Sequence, residues 1–347
     1  MSTSVLIKNF FITLLISCVS EDMLLAQAPD MKTVEMTYRD KNDFREALKS
    51  VPKDAVFKME GFYLWDPSVI KVRSTYHLFT SRWPVAGGTE GWKKSQVIRA
   101  TSKSLFGPYK FEEVVLDPPT HPWATSGIHN PKITKVGDKF LLYHIGIPGY
   151  VTGFAYADKI EGPWVPVAKP VIPTNNPALL IRPDGSAYAV GKFKPKPVKD
   201  GTVDDYMNAF EAKNVNGPYV KVGDEFNRLP YNFELEDPTI WWANNQYNIV
   251  CLDWDSKATG IFKAFTYYTS KDGINYKLYS NLPVWHGKEP IPMADGSKIL
   301  VSRLERPQIY LNKKGAVQAL LASAQPKEGG AWFIVVRPVK KFVPEND

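Results

Sequence analysis

The sequence predicts an all-β fold, a five-bladed β-propeller of four-stranded antiparallel blades around a central axis. Three observations predict it. First, one proline-centred phrase occurs five times: "FYLWDPSVIKVRSTYHLF" (62–79), "IHNPKITKVGDKFLLYHIG" (128–146), "NNPALLIRPDGSAYAVGK" (175–192), "LEDPTIWWANNQYNIVCLD" (235–253) and "LERPQIYLNKKGAVQALLA" (304–322). Each sets a proline before a short apolar run, a turn and an alternating strand. Second, a different phrase follows the first in four of the five units: "RATSKSLFGPYKFEEVVL" (99–116), "AYADKIEGPWVPVAKPVI" (155–172), "AFEAKNVNGPYVKVGDEF" (209–226) and "YYTSKDGINYKLYS" (267–280). These read as strand pairs bent at a glycine, with an aromatic packed just after it. Third, helical periodicity is nearly absent. Four strands per unit without helical crossovers, in units that cannot bury both faces alone, describe a propeller rather than a chain of separate domains.

In chain order, residues 1–28 read as a leader. The apolar run Phe10–Val19 is too short to span a bilayer as a mature helix. Two processing sites compete. Ala26-Gln27-Ala28 fits small-x-small cleavage, while Leu15-Ile16-Ser17-Cys18 reads as a lipobox that would leave a lipid anchor on Cys18, and its place at the end of the run favours it. Either way the expected location is outside the cytoplasm: periplasmic, anchored in the outer membrane, or secreted. Residues 29–56 read as an N-terminal extension with one short helix, Asn42–Ser50, and 57–347 as the propeller. The fifth unit ends in "GAWFIVVRPV" (330–339), read as a last strand pair that closes the ring.

The chain is 44% hydrophobic and 13% aromatic over 347 residues, enough for a packed core. Its net charge of +7 fits solubility or an anionic partner such as an acidic glycan, and "KFKPKPVK" (192–199) is the one local basic cluster. No helix-based reading motif points to nucleic acid. Beyond the leader Cys251 is the sole cysteine, which excludes an internal disulfide and a cysteine metal site. No ligand cluster calls for calcium on the axis, and no organic cofactor is expected. Nothing fixes an oligomeric state.

Proline lacks a ladder donor and is tolerated at the first position of a strand, so Pro67, Pro131, Pro177, Pro238 and Pro307 would mark where five innermost strands begin. The residues before them would then ring an axial cavity. Immediately before proline stand Asp66, Asn130, Asn176, Asp237 and Arg306. One place earlier stand Trp65, His129, Asn175, Glu236 and Glu305. Buried charge needs partners or a purpose. Carboxylates, amides, an arginine and a histidine around one cavity would bind a polyol, and a carboxylate pair across a sugar is what glycosidic cleavage requires. Plainer readings stand beside these. Asp66 suits a turn, Glu305 could pair with Arg303 or Arg306, and Trp65, Trp83 and Trp123 serve packing as readily as stacking on a sugar. Asp184-Gly185 and Asp272-Gly273 read as hairpin turns.

With "WDPSVI", "HNP", "EDP…WW" and "LERPQ", residues 57–340 resemble the five-bladed glycoside hydrolases of the family 43 type, related to families 32, 62 and 117. The resemblance implies Asp66 as general base, Asp237 as modulator of the acid's pKa and Glu305 as general acid, with Glu236 and then His286 ("VWHGKEP") as competing acids. It implies substrate contacts from Trp65, His129, Asn130, Asn176, Glu236, Arg306 and His286, and exo-action on a plant or algal oligosaccharide. The acids depart from the family's order, falling in units one, four and five. A glycan-binding propeller without catalysis is therefore an alternative, as is a phosphorolytic enzyme using Arg82, Arg99 and Arg306.

Overall fold

The computed structural model describes residues 41–193, 206–222, 234–340 and Phe342. The leader with Cys18, and most of the basic cluster 192–199, lie outside the described residues. Five four-stranded antiparallel sheets follow one another around an axis. Blade one pairs Phe62–Val72, Thr75–Pro84, Gln96–Ser102 and Lys110–Leu116 in that order. Blades two, three and four repeat the pattern from inner strands Gly127–Val136, Asn175–Ile181 and Leu235–Ala243. The second phrase of each unit supplies its two outer strands. Gly107, Gly162, Gly217 and Gly273 turn there with positive φ, and the hydroxyls of Tyr109 and Tyr219 reach back to the carbonyls of Leu105 and Val215.

Blade five departs from the expected closing strand pair. Val301–Leu311, Val317–Pro326 and Phe333–Pro338 give three strands, and the fourth is Val56–Phe57 from the other end of the chain, with Val56 opposite Val335. The preceding extension packs with them. Its helix, Asp43–Ala47, is one short turn capped by the Asn42 side chain, and it buries Phe44 in a stack on Phe342 with centroids 4.3 Å apart.

The innermost strands also begin earlier than expected, because each of the five prolines sits inside its strand at a bulge. In blade one Trp65 pairs with Ser81 and Ser68 with Phe79, so Asp66 and Pro67 together oppose Thr80. The same shift falls at Asn130-Pro131, Asn176-Pro177, Asp237-Pro238 and Arg306-Pro307. A bulge frees proline from the ladder bond it cannot donate and re-aims its neighbour. All five pre-proline residues take left-handed backbone, with φ of 57°, 55°, 48°, 55° and 60°. Asn and Asp tolerate that region better than other non-glycine residues, which accounts for four of the five identities. Arg306 has no such excuse. The bulged N–H groups find acceptors on the preceding blade: Asp66 N donates to Ser323 Oγ at 2.8 Å and Asn130 N to Ser81 Oγ at 2.9 Å.

Candidate active site

The bulges gather their residues around one axial cavity of about 410 Å³. All five residues two places before proline line it: Trp65, His129, Asn175, Glu236 and Glu305. Of the residues one place before, Asn130, Asn176 and Arg306 line it, while Asp66 and Asp237 do not. Those two are 1% and 2% exposed, packed between this cavity and a narrower funnel of about 130 Å³ that opens on the other side of the axis past Lys132.

A hydrogen-bonded chain forms the floor. Asn130 Nδ2 donates to Asn176 Oδ1 (2.5 Å), Asn176 Nδ2 to Asp237 Oδ1 (3.0 Å), and Arg306 pairs with the same Asp237 oxygen. Lys132 Nζ holds Asp66 Oδ1 at 2.8 Å. Burial raises the Asp237 carboxyl to about 7. Arg306 opposes that rise, and the neighbouring charges of Glu236, Asp66 and Glu305 add to it. The acids predicted from sequence therefore do meet around one axis, yet only Glu305 and Glu236 reach the open cavity.

Those two have different surroundings. Lys263 Nζ donates to Glu305 Oε1 at 2.8 Å, and Arg303 pairs with the same oxygen. Burial pulls the Lys263 ammonium down and Glu305 pulls it back up. Glu236 accepts from Lys192 Nζ at 2.6 Å, but Lys192 is shared with Glu234, and Asp237 is the next residue. Two cations face one glutamate; the other divides its cation with a second carboxylate.

The opposite wall is aromatic. Trp65, Trp83, Trp92, Trp332 and Tyr150 line it with His129. Trp65 meets Trp332 edge-on with centroids 4.3 Å apart, and Trp92 leans on His129 at 5.3 Å. Ser95 Oγ lies 2.9 Å from both Ile128 O and His129 Nδ1. Burial, then Arg306, pushes the imidazole well below its usual pKa, so it stays neutral. With the single Ser95 proton given to the Ile128 carbonyl, Nδ1 carries the ring proton and Nε2 is left an acceptor. The side of the cavity is closed by 85–94, a segment of short 3-10 turns after the second strand of blade one that contributes Thr89, Glu90 and Trp92. It is docked firmly: Trp83 Nε1 donates to Gly88 O, and a Cβ on Gly91 would come within 2.6 Å of the Trp83 ring.

Several expected residues are elsewhere. His286 lies 3.7 Å from Glu289 and outside the cavity lining. Arg82 sits over the rings of Phe62 and Phe111, and Arg99 binds Glu113 and His77. A phosphate subsite would have to rest on Arg303 and Arg306 alone among the arginines described. Trp123 packs in blade two, stacked on His144 and covering Gly146 and Gly153. Asp184 and Asp272 are turn formers as read, accepting from Ser186 and from Ile274 and Asn275. Among the described residues no group of three or more His, Cys, Asp or Glu is placed to hold a metal ion, and no helix is long and apolar enough to cross a membrane.

Sequence reasoning missed Trp332, Trp92, Lys263 and Lys192, and it read Arg303 only as a partner for Glu305, which it is. Arg303 had a signal, since it stands two residues before Glu305 and so shares its face of the strand. Lys192 comes from the strand Ala187–Phe193 and Lys263 from the turn just before Ala264–Ser270, and neither had one.

No family model matches the chain, and no curated protein matches it. Solved structures do. BT0996, solved as an RGII complex, superposes with a TM-score of 0.65 at 11% identity, over 88% of this chain and 97% of that one. Zg3597, a family 117 glycoside hydrolase of Zobellia galactanivorans, gives 0.59 at 17% identity over 86% and 91%. A GH43_1 enzyme from Xanthomonas citri in complex with xylose gives 0.56 at 16% identity over 84% and 91%. The fold is that of the five-bladed glycoside hydrolases.

Proposed function

We propose that this chain is an exported glycoside hydrolase that removes a terminal sugar from an oligosaccharide. The observation that carries this reading is the opening of Glu236 and Glu305, on adjacent blades, into one cavity walled by indoles. Hydrolysis of an acetal needs a proton donor and a carboxylate on either side of the bond. Glu305, faced by Lys263 and Arg303, is in the setting of the group that works as carboxylate. Glu236, sharing Lys192 with Glu234, is in the setting of the donor. This exchanges the role that the resemblance implied for Glu305 and replaces Asp66 as its partner. Asp66 and Asp237 then act below the sugar as a buried set that holds Arg306 and Lys132. The indoles offer stacking surfaces for the apolar face of a sugar ring, and the Nε2 of His129 offers an acceptor to one hydroxyl.

Exo-action is supported by the closed end of the cavity, whose floor is the hydrogen-bonded chain and whose side is the docked segment 85–94. Export rests on the leader. A screen of plant and algal oligosaccharides, with and without phosphate, tests the reaction class. Release of a monosaccharide independent of phosphate is expected. Micromolar binding without turnover over days would replace hydrolysis with the glycan-binding reading, which the ion pairing of every carboxylate in the site favours. The two roles separate by leaving group: Glu236→Gln should retain turnover of an aryl glycoside with an acidic phenol, and Glu305→Gln should lose it.

A further inference from the structure

A second binding site is built on blade five, away from the axial cavity and sharing no lining residue with it. A small cavity of about 160 Å³ is lined by Arg45, Leu48, Glu289, Pro290, Pro292 and Arg337. It lies where the N-terminal helix meets the hairpin of Ile291–Pro292 and Lys298–Ile299 and the strand Phe333–Pro338.

Arg337 is 9% exposed, with its guanidinium 4.8 Å from the Trp285 ring centroid. Its Nε donates to Lys49 O at 3.0 Å. Among the described residues its two terminal nitrogens have no hydrogen-bond partner, and no carboxylate lies within ion-pair distance. A nearly buried arginine without a counter-ion is costly. Burial here draws the guanidinium down to about 10. The nearest acid is already committed. Glu289 is gripped through both oxygens by Arg45, at 3.3 and 2.6 Å, and His286 Nε2 stands 3.7 Å from it. Lys288 adds a further charge beside the histidine. The charged groups lining the cavity are thus Arg337 and Arg45 against one neutralised glutamate.

We propose that this cavity binds an oxyanion, a sulfate or carboxylate group, through the free fork of Arg337. Two parallel N–H donors on a planar guanidinium match two oxygens of such a group. Arg45, holding both oxygens of Glu289, keeps that carboxylate from closing on Arg337. The +7 charge of the chain gives an anion a favourable approach.

The test is thermal unfolding of the full chain with sodium chloride replaced stepwise by sodium sulfate or acetate at constant ionic strength. The wild-type protein should show a melting-temperature rise that saturates in the millimolar range. Arg337→Lys, which keeps the charge over Trp285 but not the fork, should lose at least half of it, and Arg337→Gln all of it. A rise that is only linear in sulfate, or that is equal in the wild type and Arg337→Lys, overturns the proposal whether or not Arg337→Gln folds. Gel retardation on sulfated, carboxylated and neutral polysaccharides separates the sources. Retention that is lost in the Arg337 variants and competed by free sulfate identifies a glycan-borne group. A saturable response to the free salts without retention identifies a small anion.

Discussion

Blades four and five share one cavity with blades one and two, on the same bulged backbone, yet the two pairs contribute largely different chemistry. One wall holds Glu236, Glu305, Arg303 and Arg306, with Lys192 and Lys263 behind them; the other holds Trp65, Trp83, Trp92 and neutral His129. The backbone device is constant, a proline bulge with a left-handed residue before it. The lesson is that the bulge builds a ring of positions and leaves each blade free to fill its own. Most of the charge is collected on blades four and five, where ion pairs hold it and Trp254 and Trp332 stand beside it, and most of the flat apolar surface on blades one and two, where Glu90 is the exception.

The sharpest way to break this contrast is to remove charge from the first wall. Glu305→Gln should lower kcat/KM by about 10³-fold or more, given the contribution of about 10²–10⁴-fold that a positioned proton-transfer group alone makes, and should also lower the melting temperature because buried Lys263 loses the charge of its 2.8 Å partner; steady-state kinetics on the folded fraction beside circular dichroism checks both halves. Asp66→Asn should act through stability instead. It leaves Lys132 buried without its 2.8 Å partner, a loss on the order of 3–5 kcal/mol, read by denaturant unfolding. Should that variant fold as well as the wild type and lose all turnover, the chemistry belongs to Asp66 and the contrast drawn here between the two positions before proline fails. Lys263→Met should cost about 10-fold in kcat, because Glu305 loses the cation that holds its Oε1 at 2.8 Å. On the aromatic wall, Trp92→Ala should raise KM about 10-fold while changing kcat little, since stacking serves ground and transition states alike.

The smallest effect lies outside the cavity, in blade two, where His121 Nε2 and His144 Nε2 are 3.3 Å apart. Burial lowers the two imidazoles to about 4 and about 3. The unfolded chain takes up protons near pH 6.5 that the native pair refuses, so stability falls as pH drops from about 6.5 toward 4. Melting curves from pH 7 to 4.5 should show a shallower acid slope in His144→Gln than in the wild type.

Much of this was legible in the residues. Five prolines located five inner strands, and the two places before each located the cavity, because an alternating strand can show an axis only a fixed subset of side chains. What the sequence hid was conformation. A proline before an apolar run reads equally as the first residue of a strand or as a bulge within one, and only the second turns Asp66 and Asp237 below the floor while leaving Glu236 and Glu305 open to the cavity. Contributions from distant segments were hidden too. Trp92 stands in "GGTEGWKK", whose glycines announce a turn but not the wall it packs against, and Val56–Phe57 is too short to declare itself a strand before its partner at 334–335 is known.

That two-residue strand has a topological consequence. The outer edge of blade five joins Val56 to Val335, so that blade is completed only when segments from both flanks of the propeller meet. Loss of Val56–Phe57 would leave blade five with an uncovered outer edge along Phe333–Pro338. A chain rejoined end to end and cut instead between two other blades would move the weak point without changing a single contact in the cavity.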